Sequence, residues 1–229
     1  MNKTTFEEAA RLLCETGWLA SRTAVFRKEL LKHAALKRFT PGQVIFRHGE
    51  EGGGIYGLVC GTLTFNSAPP NTIPRLVHFG APGIWAGEGC FITGEPRRGE
   101  MRSLGGAWMM HVPLHSMRHM AASDPRMIQD FAAISFTIMD TLIRIVHDLQ
   151  MRSASRRIAA VLERSAWLTG RAIPLSQSDL AVMSNTSRAQ VNSAIRDFED
   201  KGWVEHSYRS VTVTDIESLR SYVSGEDLE

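Results

Sequence analysis

The sequence predicts an α+β protein: a helix-flanked β-sandwich or barrel, then one long helix, then a C-terminal winged helix-turn-helix. Three observations carry this. From Pro41 to about Val112, short apolar runs alternate with Gly-rich or Pro-rich turns. From Ile128 to Leu149, apolar residues recur at alternating spacings of three and four, sustained for about three heptads. The stretch SNTSRAQVNSAIRDFEDKGWV, Ser184 to Val204, reads as a short helix with two unlike faces, flanked by a tight turn and an alternating segment.

The chain has 229 residues, enough for two modest domains with a core in each. Net charge is only +2, so bulk charge does not announce a nucleic-acid partner. Locally the balance shifts: nine basic against six acidic residues lie between Arg152 and Arg209, and five acidic residues face Arg220 alone from Asp215 onward. Cys14, Cys60 and Cys90 form no CxxC pair or even framework, so free thiols in a reducing compartment are expected. The N-terminus has early acidic residues and lacks the apolar core of a secretory signal. No run approaches the ~20 apolar residues of a membrane span. The cytoplasm is the expected location.

Taken in order, Glu7 to Trp18 and Ala24 to Leu36 have helical periodicity, which stops at "FTPGQ". The runs "QVIF", "IYGLV", "TLTF" and "LVHF" are read as strands, separated by turns such as "HGEEGGG" and "SAPPNTIP". Ser123 or Asp124 can cap the long helix, with Pro125 at its first position. Its seam is Ile128, Phe131, Ser135, Ile138, Leu142, Ile145 and Leu149, and Phe136, Met139, Ile143 and Val146 form a second apolar row beside it. Two rows need two surfaces: one against the β-domain, the other against a partner helix. A homodimer through the first row is the expectation. The domains expected are 1–122, 123–152 and 153–229.

In the last segment, "ASRRIAAVLERSAWL" is an amphipathic helix and "PLSQSDLAVMS" a second, with Ser176 capping and Asp179 as its reciprocal partner. Asn185 suits a left-handed turn residue. Ser187 caps the next helix with Gln190 as partner, Gly202 closes it, and "WVEHSYRSVTVTD" reads as a hairpin. Val191, Ala194, Ile195 and Phe198 make the buried stripe of that helix. The opposite face carries Arg188, Ala189, Asn192, Ser193 and Arg196. The second helix of such a unit lies in the DNA major groove. Arg188 suits a bidentate contact with guanine, Asn192 or Gln190 a contact with adenine, and Ser193 a base or a phosphate. Ser187 and the helix N-terminus suit a phosphate, and Arg209 in the hairpin can reach the backbone.

The order of β-roll, long helix and winged helix-turn-helix resembles the Crp/Fnr regulators, the cyclic-AMP receptor protein family, over roughly residues 25–225. "DLAVMSNTSRAQVNSAIRDFEDKGWV" looks like that family's DNA-reading motif, "TPGQVIFRHGEEGGGIYGLVCGTL" like the opening strands of its sensor domain, and "WAGEGCFITGEPRRGEMRS" like its phosphate-binding cassette. The resemblance implies a cyclic-nucleotide-binding-like β-roll of jelly-roll type, a dimerisation helix, an inverted-repeat operator in double-stranded DNA and contact with RNA polymerase. In the reading helix Arg188 matches a base-reading arginine; Ala189 stands where the family often has Glu, and Ser193 where it often has a further arginine. The half-site read is therefore expected to differ from that of the family's namesake.

In cyclic-nucleotide binders the cassette offers Gly-Glu, then Arg followed by Ser or Thr. Here Gly87 and Glu88 are present and Arg97 fits the arginine, but Arg98 occupies the hydroxyl position. Shifted by one residue, Arg98 becomes the arginine and Gly99 its neighbour, so the hydroxyl is missing in either register. A cyclic nucleotide, another small ligand held by the arginine pair, and no ligand at all remain open, so no cofactor is assigned. Three scattered cysteines do not suit an iron–sulfur cluster. His115 and His119 sit at i,i+4 but read as exposed helix-face residues, and Cys90 as a buried thiol. The rival class is a cupin-like metal-dependent enzyme, or a ligand-binding module without DNA binding. A cupin site wants His-x-His with a later Glu and His, and the chain has no His-x-His. No catalytic or metal-ligating residues are assigned.

Overall fold

A computed structural model describes residues 4–67, 72–166 and 172–225. Part of the "SAPPNTIP" turn, Trp167 and Leu168 of the expected amphipathic helix, and the last acidic residues lie outside the described residues. The chain divides into two units, Met1–Thr141 and Leu142–Glu229.

In the first unit, Thr5 caps α1 (Phe6–Glu15) in a reciprocal box with Glu8. α2 (Gly17–Ala20) and α3 (Ala24–Lys32) follow, the latter capped by Thr23. Helical character ends at Lys32, earlier than the expected Leu36. β1 (Ala35–Phe39) already pairs antiparallel with β6 (Gly99–Pro113), from Ala35 opposite His111 to Phe39 opposite Ala107. Apolar residues at positions 34–36 continue the helical spacing, but sheet pairing captures them. β2 (Val44–Phe46) also pairs with β6.

The "IYGLV" and "TLTF" runs, expected as separate strands, are one long strand, β3 (Gly54–Ser67). It pairs along β6 with register breaks between Leu58 and Cys60 and between Gly61 and Leu63. These bulges bend the strand instead of ending it. Gly61 is needed there: its φ is +102°, and a Cβ would lie 2.2 Å from the Gly106 carbonyl oxygen. β4 (Arg75–Gly80) and the short β5 (Trp85–Ala86) pair with β3, completing an antiparallel sheet of order β1-β6-β3-β4.

Two cores result. Phe39, Phe46, Leu58, Leu63, Ala86, Met101, Ala107 and Met109 form one. The other joins α1–α3 residues Leu13, Trp18, Phe26 and Leu30 to Ile55, Trp85, Met110 and Val112, and to Phe131 and Ile134 of the long helix. Between β5 and β6 lies the short α4 (Gly89–Thr93), and α5 (Leu114–Ser123) follows β6. Ser123 therefore ends α5 rather than capping the long helix. α6 (Met127–Leu149) starts after a turn in which the Met127 amide donates to the Asp124 carbonyl. Trp18 Nε1 donates to the Asp130 carbonyl at 2.8 Å, and Arg22 pairs with the Asp130 carboxylate at 3.2 Å, tying α2 to α6.

In the second unit, α7 (Ala154–Ser165), β7 (Ala172–Ile173), α8 (Gln177–Met183), α9 (Arg188–Asp200), β8 (Val204–Ser207), β9 (Ser210–Val213) and α10 (Ile216–Ser224) follow in order. The strands make an antiparallel sheet β7-β9-β8. Ile158, Leu162, Leu180, Val191, Ile195, Phe198 and Leu219 are fully or nearly fully buried. Phe198, Trp203 and Tyr222 pack as an aromatic trio with centroids 5.5–5.7 Å apart. No helix among the described residues is long and apolar enough to cross a membrane.

Candidate functional site

Ser176 and Asp179 form a capping box at the start of α8, and Ser187 and Gln190 another at the start of α9. Between them Asn185 takes φ +49°, the left-handed conformation that reverses the chain in few residues. Ser184, fully buried, donates its hydroxyl to the Leu180 carbonyl and so closes α8. Gly202, at φ +74°, closes α9. The hairpin β8–β9 turns through Tyr208 and Arg209, and Arg209 has φ +57°.

This framework buries Val191, Ala194, Ile195 and Phe198, and leaves Ser187, Arg188, Ala189, Gln190, Ser193 and Arg196 exposed and Asn192 half-buried. One predicted role narrows. Gln190 Oε1 accepts the Ser187 amide at 2.9 Å, while Ser187 Oγ accepts the Gln190 amide at 3.2 Å. A bidentate contact of Gln190 with adenine uses that same oxygen and would open the cap, whereas the Asn192 amide has no such bond to give up among the described residues.

A residue that sequence spacing did not single out supports the turn. Arg157 of α7 donates to the carbonyls of Ser184 at 2.9 Å and Asn185 at 3.3 Å, and through Nη1 to those of Met151 at 2.7 Å and Arg152 at 3.1 Å. One guanidinium thus joins the segment after α6 to the reversal before α9. Tyr208, 91% exposed at the hairpin tip beside Arg209, was also not singled out.

The cassette is folded onto its own chain. Arg97 is only 4% exposed; Nη1 donates to the Gly87 carbonyl at 2.8 Å and Nη2 to the Gly54 carbonyl at 2.7 Å, and the guanidinium lies 4.3 Å from the Phe46 ring centroid. Its Nε is buried with no partner among the described residues. Gly87 must be glycine here: its φ is +107°, and a Cβ would sit 2.4 Å from Arg97 Nη1. Glu88, 5% exposed, accepts from the Ser135 hydroxyl at 2.7 Å. Burial pushes its carboxyl above the ordinary range, against the opposing effects of that bond, nearby amides and Arg97. Arg98 points to solvent. Gly99 has no room for a hydroxyl-bearing side chain, since a Cβ would lie 2.5 Å from the Phe65 ring. The phosphate-binding and ribose-binding groups that the resemblance implies are therefore already engaged within the protein, and this donor set does not fit a cyclic nucleotide.

Cys90 is buried, and Cys14 and Cys60 are half-buried free thiols. His115 and His119 are exposed, and His119 meets the His33 ring at 6.0 Å. Among the described residues no three His, Cys, Asp or Glu side chains gather as a metal site.

The Crp-like helix-turn-helix domain model matches residues 156–222, and the cyclic nucleotide-binding domain model matches residues 36–124, more than half of the chain between them. A CRP-like cAMP-activated global transcriptional regulator of Mycobacterium tuberculosis is 23% identical over 189 residues, covering 79% of this chain and 84% of that protein. The chain belongs to the Crp/Fnr family of transcription regulators. The fold agrees. A putative cyclic nucleotide binding protein of Ruegeria pomeroyi superposes with a TM-score of 0.71 at 17% identity, covering 97% of this chain and 100% of that one. The c-di-GMP responsive global regulator CLP of Xanthomonas campestris superposes with 0.62 at 17% identity, covering 83% and 99%. The matched relatives are Crp/Fnr regulators, not cupin enzymes.

α6 of this Crp/Fnr protein carries two apolar rows, but they are not divided as expected. Phe131 is fully buried and Ile145 is 8% exposed, so neither is open to a second chain; Ile138 is half-buried against the core that holds Phe131. Only every second residue of the predicted seam, Ile128, Ser135, Leu142 and Leu149, is exposed. Phe136, Met139, Ile143 and Val146, the second row, are exposed at 61%, 45%, 61% and 55%. Ser135, Met139, Leu142, Val146 and Leu149 keep the 4,3,4,3 spacing. The heptad persists with Ser135, Leu142 and Leu149 kept, but its intervening positions move one residue on, from Ile138 to Met139 and from Ile145 to Val146, because Phe131 and Ile134 are claimed by the chain's own core.

Proposed function

We propose that this Crp/Fnr regulator works as a homodimer that reads an inverted repeat in double-stranded DNA, with Arg188, Asn192, Ser193 and Arg196 toward the major groove, Ser187 and Arg209 toward phosphates, and Ala189 offering only a methyl contact. The single observation behind this reading is the outward face of α9, two arginines among small polar groups, on a helix whose start and angle are fixed by two capping boxes and a left-handed turn. The exposed stripe of α6 supports the homodimer: seven large apolar side chains from Ile128 to Leu149 face outward on one helix. A second copy offers the same heptad.

The β-roll acts without cyclic AMP or binds it weakly, because Glu88 and Arg97 have partners inside the protein. The mycobacterial relative is cAMP-activated and the Xanthomonas protein responds to c-di-GMP, so the family's sensor is adaptable. Selection of DNA from a randomised pool by the full-length protein tests the reading. An enriched inverted repeat supports it; enrichment of a single half-site, or of none, overturns the dimeric form or the DNA-reading form respectively.

A further inference from the structure

Within Leu142–Glu229, three helices are joined by charges. Asp148 of α6 pairs with Arg164 of α7, and both side chains are almost completely buried, 5% and 6% exposed. Four residues earlier on α6, Arg144 pairs with Glu163 at 2.6 Å. Glu163 also takes Arg220 of α10 at 3.2 Å on its other oxygen, and Arg220 pairs with Glu217 at 2.8 Å. The exposed His147 imidazole stands 3.7 Å from Asp148. Burial, with Arg144 nearby, lowers Arg164 to about 10, so it stays charged at neutral pH.

A buried ion pair is a poor source of stability, because desolvating two charges offsets most of their attraction. What it supplies is direction. An apolar contact tolerates small rotations and slips of one helix on another, whereas a buried carboxylate and guanidinium lose their pairing when either helix moves. The two turns of α6 that carry Arg144 and Asp148 also present Leu142, Ile143, Val146 and Leu149 outward. α7, on the other side of the pair, packs directly on α9. One short chain of contacts therefore links the outward stripe of α6 to the DNA-reading helix.

We propose that Asp148 and Arg164 are positioning residues: they set the angle between the last turns of α6 and α7, and through it the separation at which two copies of α9 meet DNA. This rests on the dimeric reading above. Inserting one base pair between half-sites shifts them by about 3.4 Å and turns them by roughly 34°. A rigidly held dimer rejects that change; a dimer with the clamp released follows it.

The experiment uses a duplex recovered by wild-type selection, together with versions carrying one base pair more or less between half-sites. Binding is measured for wild type, Asp148→Asn, and the double variant Asp148→Leu with Arg164→Met, which leaves no buried charge unpaired. Thermal unfolding and sedimentation accompany each. Wild type is expected to prefer its own spacing by about tenfold or more, a decade in Kd. The double variant, folded and dimeric, is expected to fall to about threefold or less while keeping its preference for the half-site bases. A purely structural role lowers binding to all three spacings alike. A folded double variant that keeps the full spacing preference overturns the proposal. If the wild type selects no inverted repeat, the dimeric reading falls and the proposal with it, an outcome visible before any variant is made.

Discussion

Ser135 donates its hydroxyl to the buried carboxylate of Glu88 at 2.7 Å, so the carboxylate that the family resemblance would set against a ribose is held by the long helix of the same chain. Ser135 itself is exposed and stands among the apolar side chains of α6. The bond adds to those from the amides of Gly87 and Glu88 in compensating a buried carboxylate.

The pH dependence of stability follows from this environment. Burial raises the Glu88 carboxyl above its ordinary range in the folded protein, more than Ser135, the amides of Gly87 and Glu88, and Arg97 lower it. Above about pH 4.3 the unfolded chain releases this proton while the folded protein still holds it. Stability from this group is therefore greatest at acid pH and falls as pH rises from there through the raised value. Glu88→Gln should flatten that fall, and Ser135→Ala should extend it to higher pH. Denaturant titrations across pH 4 to 8 provide the check; identical slopes in wild type and Glu88→Gln would remove Glu88 from the account.

Arg97 should behave as a structural residue. Arg97→Ala leaves the buried carbonyl of Gly54 without this donor, at about 1–3 kcal/mol, and removes a bond to the half-buried carbonyl of Gly87. A drop in Tm of the β-roll unit is expected. Cyclic AMP should bind more weakly than micromolar, because it must displace these bonds and finds Arg98 where a hydroxyl is wanted. A missing charge-assisted bond costs about 1.5–3 kcal/mol. Calorimetry with wild-type protein decides the matter, and micromolar or tighter binding refutes the expectation.

The two rows of α6 should separate by mutation. Met139→Glu with Leu142→Glu places charges on the exposed stripe and is expected to give monomers with unchanged protomer stability. Phe131→Ala removes a fully buried ring packed against Trp18, Phe26 and Phe91. It should cost about 3–5 kcal/mol in unfolding. Sedimentation velocity beside thermal denaturation distinguishes the two; an unchanged dimer in the first variant would place the interface elsewhere.

Local chemistry was legible in the sequence wherever one residue decides one backbone feature. Ser176 with Asp179, Ser187 with Gln190, Asn185 and Gly202 each stand where a cap or a turn forms. The outward face of α9 followed from the same spacing. Less was legible where two surfaces compete for one residue. Periodicity gives the same weight to Phe131 and Met139, and only the second core, assembled from α1–α3 and the sheet, takes the former. The bends that turn two expected strands into β3 depend on register against β6, whose partners at the bends lie 40 (Leu63 to Ser103) to 51 (Leu58 to Met109) residues on in the sequence. Ser135 did carry a signal, a lone hydroxyl in an apolar seam, but its acceptor lies 47 residues distant in sequence. Nothing local marked Arg157, whose four carbonyl partners come from two separate turns.

The proposed reading of DNA turns on Arg188. It is the first residue of α9, immediately after the Ser187 cap, exposed, and on the face opposite Val191 and Ile195. From there a guanidinium reaches the groove floor and can grip guanine O6 and N7 together. Ala189 beside it has nothing to accept from cytosine and can offer only its methyl group, as to thymine. Arg188→Ala should therefore lose about 1–3 kcal/mol, concentrated at one base pair in each half-site, with half-site centres roughly 34 Å apart. A phosphate-only role for Arg188 gives a different pattern: uniform weakening across sequences and a shallower dependence on salt. Gln190→Ala serves as the contrasting variant, because Gln190 completes the cap. It should weaken all sequences together through a less stable α9, by about 0.5–1.5 kcal/mol for one lost hydrogen bond. Measuring wild type and both variants on a panel of single-base operator changes separates these outcomes. A full base preference retained at every position in Arg188→Ala would take Arg188 out of the major groove.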